Sequence, residues 1–120
     1  MKPNTRAAIA YIAASFISGK TGSAVYDQAQ ARYISISGTV NKSNVSVFDN
    51  EQSCHVSGSV NAGNLNLYHY GDKHHINLQV SGNKFNGYDH GNSCHFSGIV
   101  TGRSVSLYDF EEKTYFNYSI

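Results

Sequence analysis

Charged side chains are scarce in this sequence. Asp, Glu, Lys and Arg make up 14% of the 120 residues and nearly cancel, leaving a formal net charge of +1. Such a surface offers no electrostatic capture of nucleic acid or anionic lipid. Proline occurs once and no long run of like charge occurs, which excludes an extended linker or a disordered tail. Long hydrophobic runs are missing too. The stretch from Ala7 to Ile17 covers about eleven residues, whereas a membrane-spanning helix needs about 20. GxSxG, GxGxxG, CxxC and a helical HxxxH are all absent, so hydrolase, dinucleotide and common zinc patterns have no carrier. The sequence therefore points away from an enzyme and requires no cofactor.

What the chain does contain is eleven glycines, nine tyrosines and many Ser and Asn, which implies a neutral surface rich in hydroxyl and amide groups. At 13.1 kDa it forms one domain, residues 1–120, around one core. Residues 53 to 68 read SCHVSGSVNAGNLNLY and residues 93 to 108 read SCHFSGIVTGRSVSLY, nearly the same segment twice. Phe48, Tyr68, Tyr88 and Tyr108 keep a strict 20-residue period, and Tyr26 stands two residues out of step. Within each unit apolar and polar residues alternate, the period of a strand. Three inward columns result: Ile36, Val56, Ile76, Phe96, Phe116; then Val40, Val60, Val80, Val100, Ile120; and on the other strand Val45, Leu65, Phe85, Val105.

Two-residue turns are expected at Lys42-Ser43, Ala62-Gly63, Gly82-Asn83 and Gly102-Arg103 at one end. At the other end they are expected at Glu51-Gln52, Gly71-Asp72, Gly91-Asn92 and Glu111-Glu112. This register sets Gly38 opposite Val47, Gly58 opposite Leu67 and Gly98 opposite Leu107, whereas the third unit sets Leu78 opposite Gly87. Large and small residues exchange strands while their summed volume stays nearly constant, as direct neighbours in a packed core require. One hairpin cannot bury its own apolar face, so adjoining copies bury it for one another. The expected fold is all-β with one N-terminal helix over residues 5–18. Five hairpin repeats over 23–120 form an antiparallel meander of about ten strands, curled into a barrel or half-barrel over the helix. A β-solenoid with two strands per turn has the same period and is the alternative.

The helix is read from Asn4 or Thr5 as N-cap, Ile9, Ile12 and Phe16 at helical spacing, abundant Ala, and Gly19 as the stop. The same segment also fits a secretory leader with cleavage near Gly22-Ser23-Ala24, and the protein would then be secreted. Residues 14 to 21 match a relaxed phosphate-loop pattern, but Gly19-Lys20-Thr21 would end a helix instead of opening one, where the dipole repels anions. Cys54 and Cys94 fall four strands apart, roughly 19 Å at about 4.8 Å per strand. That exceeds the limit of about 7 Å between disulfide Cα atoms, so both are expected to be free thiols. Free thiols fit a cytoplasmic location.

The register also pairs outward aromatic residues across each hairpin: Phe48 with His55, Tyr68 with His75, Tyr88 with His95, and Tyr108 with Tyr115. Beside them run rows of Ser and Asn. Together they suggest a platform for a carbohydrate or protein ligand, or for another copy in a homo-oligomer or filament. On the inward rim Asp49 faces Cys54, His69 faces His74, Asp89 faces Cys94 and Asp109 faces Thr114. This is either an acid/base rim or a set of acids that bind turn amides; recurrence favours the structural role. His75 and His90 on adjoining strands, with His95 diagonal to them, form an alternative zinc or copper site.

Tyr-Asp, His-Phe-Ser-Gly, Ser-Val-Ser-Leu-Tyr-Asp and the closing Tyr-Phe-Asn-Tyr-Ser-Ile resemble a group of small uncharacterised bacterial proteins built from the same repeats. In that group an Arg-Ala-Ala-Ile-Ala-Tyr helix often stands in front. The likeness covers the whole chain and implies no activity. More loosely, the serial hairpins are similar to membrane-occupation-and-recognition repeats, without their Gly-Tyr-Gly-Trp signature, and to curli subunits, with incomplete Gln and Asn ladders. Both are likenesses of architecture alone.

Overall fold

The structure, a computed structural model, describes residues 1–120. It opens with α1 (Pro3–Ser18) and continues in eleven strands: β1 (Val25–Asp27), β2 (Arg32–Ile34), β3 (Ile36–Val40), β4 (Asn44–Asp49), β5 (Cys54–Asn61), β6 (Asn64–His69), β7 (His74–Ser81), β8 (Lys84–Asp89), β9 (Cys94–Thr101), β10 (Ser104–Asp109) and β11 (Thr114–Ser119). From β3 to β11 each strand lies antiparallel beside the next in sequence. That order is a meander and excludes the solenoid alternative. The expected cross-strand pairs are present: Gly38 with Val47, Gly58 with Leu67, Leu78 with Gly87, and Gly98 with Leu107.

Closure comes from two contacts. β1 pairs with β11 through Tyr26 with Ser119 and Asp27 with Tyr118. β2 and β3 are two halves of one bent strand: β2 pairs back to β1 with Ile34 opposite Val25, and β3 pairs forward to β4 with Ile36 opposite Asp49. With β2 and β3 counted together, ten strands form a nearly closed barrel. The two-residue step from Ile34 to Ile36 at this seam is the same step that puts Tyr26 out of phase with the other repeats. Arg32 and Glu51 lash the seam through two hydrogen bonds of 2.8 and 2.9 Å, and Asn50 N–H donates to Ser35 C=O at 3.0 Å.

The helix fills the barrel. Every residue from Ala7 to Ala14 is at most 2% exposed, so all its faces are covered, as for a helix apolar on every side. Its many alanines keep it slim enough for the lumen, where Ile36, Val56, Ile76 and Phe96 and the Val45, Leu65, Phe85, Val105 column surround it in one core. Cleavage near Ala24 would remove this filling. No helix is long and apolar enough to cross a membrane. The helix begins at Pro3 rather than residue 5, because Pro at the first helical position lacks only an amide that would be unpaired anyway. Neither Asn4 nor Thr5 is the cap; Lys2 holds that position in extended backbone and makes no side-chain cap bond. Gly19 ends the helix as expected, left-handed at φ 72°, its N–H on Ser15 C=O at 2.9 Å.

The tight turns at one end of the barrel, such as Ala62-Gly63 between paired Asn61 and Asn64, match expectation. At the helix N-terminal end the loops are four residues long, not two. Their last residue is left-handed without being glycine: Ala31, Ser53, Lys73, Ser93 and Lys113, with φ from 52° to 59°. The cause is the side chain that precedes each loop. Asp49 Oδ1 accepts from the Glu51 and Gln52 amides at 2.9 and 3.1 Å, and a loop wrapped around a carboxylate needs the extra residues.

Candidate functional site

The last inward residues of β1, β4, β6, β8 and β10 are Asp27, Asp49, His69, Asp89 and Asp109, each no more than 1% exposed. They form a buried ring around the N-terminal end of α1. All five bind amides of their own loops: Asp27 takes Ala29 at 3.0 Å, Asp89 takes Gly91 at 2.9 Å, Asp109 takes Glu111 at 2.9 Å, and His69 Nδ1 takes Asp72 at 3.0 Å. Two also hold the helix. Asn4 donates to Asp49 at 3.0 Å, and Arg6 and the Met1 amino group reach Asp109 at 3.2 and 3.0 Å. Arg6 is itself buried, stacked 3.7 Å above the Phe116 ring and donating to Tyr118 Oη at 3.3 Å. Negative charge beside a helix N-terminus complements the helix dipole. Each inward acid thus braces its own loop and Asp49 and Asp109 also seat the helix, while Asp89 Oδ2 is buried without a hydrogen-bond partner.

The thiols offer no nucleophile. Cys54 and Cys94 are free and buried; burial raises both, Cys94 to about 11, so both are thiols at neutral pH. Cys94, Asp109 and Glu111 are the one group of three potential metal ligands whose atoms lie within 4.8 Å of one another, and the Met1 amino group engages both carboxylates.

His69 and His74 stack at 5.8 Å and 20°. The Asp72 amide donates to His69 Nδ1, so the neutral ring carries its proton on Nε2, which is buried without a partner. Burial, the largest influence, lowers the His69 pKa. His74 lies between carboxylates, with Nε2 3.5 Å from Asp72 and Nδ1 3.1 Å from Asp89, the latter without the alignment of a hydrogen bond. The unfolded chain protonates His69 as pH falls through about 6.5, while the folded chain resists. Stability therefore falls as pH drops below about 6.5 toward the folded value. Urea unfolding at a series of pH values checks this: His69→Asn should flatten that limb, and an unchanged slope would remove His69 as its source.

On the outside, the cross-strand aromatic pairs are edge-to-face. Phe48 and His55 stand 4.7 Å apart, Tyr68 and His75 4.9 Å, Tyr88 and His95 4.7 Å, Tyr108 and Tyr115 4.9 Å. Tyr26 and Tyr33 make a fifth pair at 4.8 Å. A further ring leans on three of them: Tyr70 on Tyr68 at 4.8 Å, His90 on Tyr88 at 4.8 Å, and Phe110 on Tyr108 at 4.7 Å. All belong to one end of the barrel, the end of the four-residue loops, and form a belt around it. Sequence reasoning found four pairs and missed Tyr33, Tyr70 and Phe110. The signal was present, since Tyr26 to Tyr33 repeats the spacing of Tyr88 to His95, and Tyr70, His90 and Phe110 recur two positions after a belt tyrosine.

His75 lies on β7, but His90 is the first loop residue after β8 and not on a strand as expected, because β8 ends at the loop-capping Asp89; its amide donates to His75 C=O at 3.0 Å. Their rings turn to different partners: His75 to Tyr68, and His90 to Tyr88 and to Asn77 Nδ2, 3.2 Å from its Nε2. His95 packs on the same Tyr88.

Below the belt the outer wall is mostly polar and nearly uncharged, with Ile99 its one exposed large apolar side chain. Across β5 to β11, Lys84 is the one outward Lys, Arg, Asp or Glu, and it borders a turn. The fold defines a class, a helix-filled antiparallel meander barrel with an aromatic belt and a neutral wall. No protein-family model, no curated protein and no solved structure matches the chain.

Proposed function

We propose that the protein is a non-catalytic binding module that recognises its partner with the outer belt and wall. The belt carries this reading. Tyr33, Tyr70, Phe110 and Tyr115 are between 50% and 69% exposed, more than cross-strand support of a solvent face requires. The interior supports it indirectly, because each inward acid accepts from amides of its own loop. A second copy of the chain is a partner of the same kind, met through Tyr70 and Phe110. A filament grown by strand addition gains no support from a sheet in which β4 to β11 are paired on both sides.

Amide correlation spectra with phenol, N-methylacetamide and zinc chloride as probes test this reading. Phenol should move the signals of Tyr68, Tyr70, Tyr108 and Phe110. A Tyr70→Ser, Phe110→Ser double variant should lose that response with its circular dichroism unchanged. An even spread of phenol shifts, or a double variant that responds like the parent, would sink the reading. Stoichiometric zinc shifts at His75, His90 and His95 would replace it with the metal alternative. Sedimentation velocity at rising concentration reports whether a second copy is the partner.

A further inference from the structure

The outer wall is not smooth. An open trough of about 430 Å³ crosses β8 to β11, a volume within the range of small-ligand sites, about 300–1,000 Å³. Ser97 and Ser106, both half-buried, floor it; the exposed Asn86 amide flanks it on one side and the Tyr115 ring on the other. Tyr108 holds that ring edge-to-face at 4.9 Å, and Tyr115 is still 64% exposed. Two further troughs, of about 340 and 310 Å³, continue the path: the first shares Asn86 with it, and the second shares Asn64 and Gln79 with the first. From β5 to β11 this track crosses six strand spacings, about 29 Å along the wall at about 4.8 Å each.

The chemistry of the track selects its ligand. Lys84 is its one charge, so neither an anion nor a cation is favoured, and a nucleic-acid strand would need a basic groove. A peptide added as a further strand needs an unpaired edge, and these strands are paired on both sides. Amides and hydroxyls donate and accept at once, which matches a polyol whose every hydroxyl does the same. An upright aromatic ring adds an apolar face for carbon-bound hydrogens. A solvated wall with no ligand would normally carry interspersed Lys and Glu. We propose that this track binds a neutral oligosaccharide, seated on Tyr115 and hydrogen-bonded by Asn86, Ser97 and Ser106. The proposal rests on the binding-module reading and names its ligand class.

Titration with maltohexaose, cellohexaose and chitohexaose, with heparin as the anionic comparison, tests it by amide correlation spectra. At least one neutral hexasaccharide should move the Asn86, Ser97, Ser106 and Tyr115 signals together. Tyr115→Ala should weaken that binding about tenfold, as loss of an aromatic anchor does, while Tyr115→Phe retains it. Asn86→Ala should weaken it several-fold. No shift from any neutral sugar at about 10 mM, equal shifts with heparin, or Tyr115→Ala binding like the parent would overturn the proposal. If phenol gathers on the belt while the sugars leave the trough unmoved, the trough assignment falls and the binding-module reading stands. If neither responds, both fall.

Discussion

Gly58→Leu is expected to cost about 3 kcal/mol or more, enough to leave much of the protein unfolded at moderate urea. A Cβ at position 58 would meet Asn66 C=O at 1.8 Å and Leu67 Cα at 2.9 Å, both backbone, so no rotamer change relieves the collision. Gly87 in the third unit plays the same part from the opposite strand, where a Cβ would meet Asn77 C=O at 2.1 Å. There the large partner is Leu78, on the strand that carries glycine in other units. The combined Gly58→Leu, Leu67→Gly variant copies the side-chain arrangement of the third unit but leaves both backbone contacts in place, so it should stay nearly as unstable as Gly58→Leu. Gly82→Ala is the comparison. Nothing lies within 4 Å of its Cβ, so only the strain of φ +62° opposes it, about 1 kcal/mol. Urea midpoints for the variants decide the matter: recovery of most of the lost stability in the combined variant would show that side-chain volume, not close backbone approach, imposes the glycine.

Asp109→Ala should cost about 3–5 kcal/mol, the usual effect of removing one member of a buried ion pair. It removes the one carboxylate partner of the buried Arg6 guanidinium, leaves the Met1 amino group only Glu111, and frees the Glu111 amide. Burial alone would raise the Asp109 pKa; the Met1 amino group and the loop amides outweigh it and hold the carboxyl below its ordinary value. A depressed carboxyl stabilises the fold above the unfolded pKa, about 3.9, and that contribution disappears as pH falls below it. The parent should therefore lose stability in two acid stages, the first below about 6.5 from His69 and the second below about 4 from Asp109 together with Glu51 and Asp72, which are also held below their ordinary values. Asp109→Ala should lower stability at neutral pH and shrink the second stage while keeping the first. A second stage of undiminished size in the variant would assign it to other carboxyls.

Much of the barrel was legible in the primary structure because strand pairing between sequence neighbours leaves a local imprint. A period of two sets which residues face inward, and a period of 20 sets which hairpins adjoin. The exchange of Leu78 and Gly87 then sets the register to the residue. The outward partners of Phe48, Tyr68, Tyr88 and Tyr108 followed from that register without further information.

Other features depend on where distant parts of the chain meet, and no local pattern records that. Closure joins β1 to β11, and the bend at Ser35 that allows it shows in the sequence only as a two-residue slip. An Ala-rich helix reads alike whether it lies against a sheet or inside a barrel; only the enclosing strands cover its last face. The inward acids likewise read as a possible reaction rim until the Arg6 side chain and the first helical turn occupied their centre. Repetition therefore determined the strands, their register and their two faces. The tertiary structure decided the closure, the depth of the helix and the exposure of Tyr70, Phe110 and Tyr115, because those arise from packing among elements far apart in the chain.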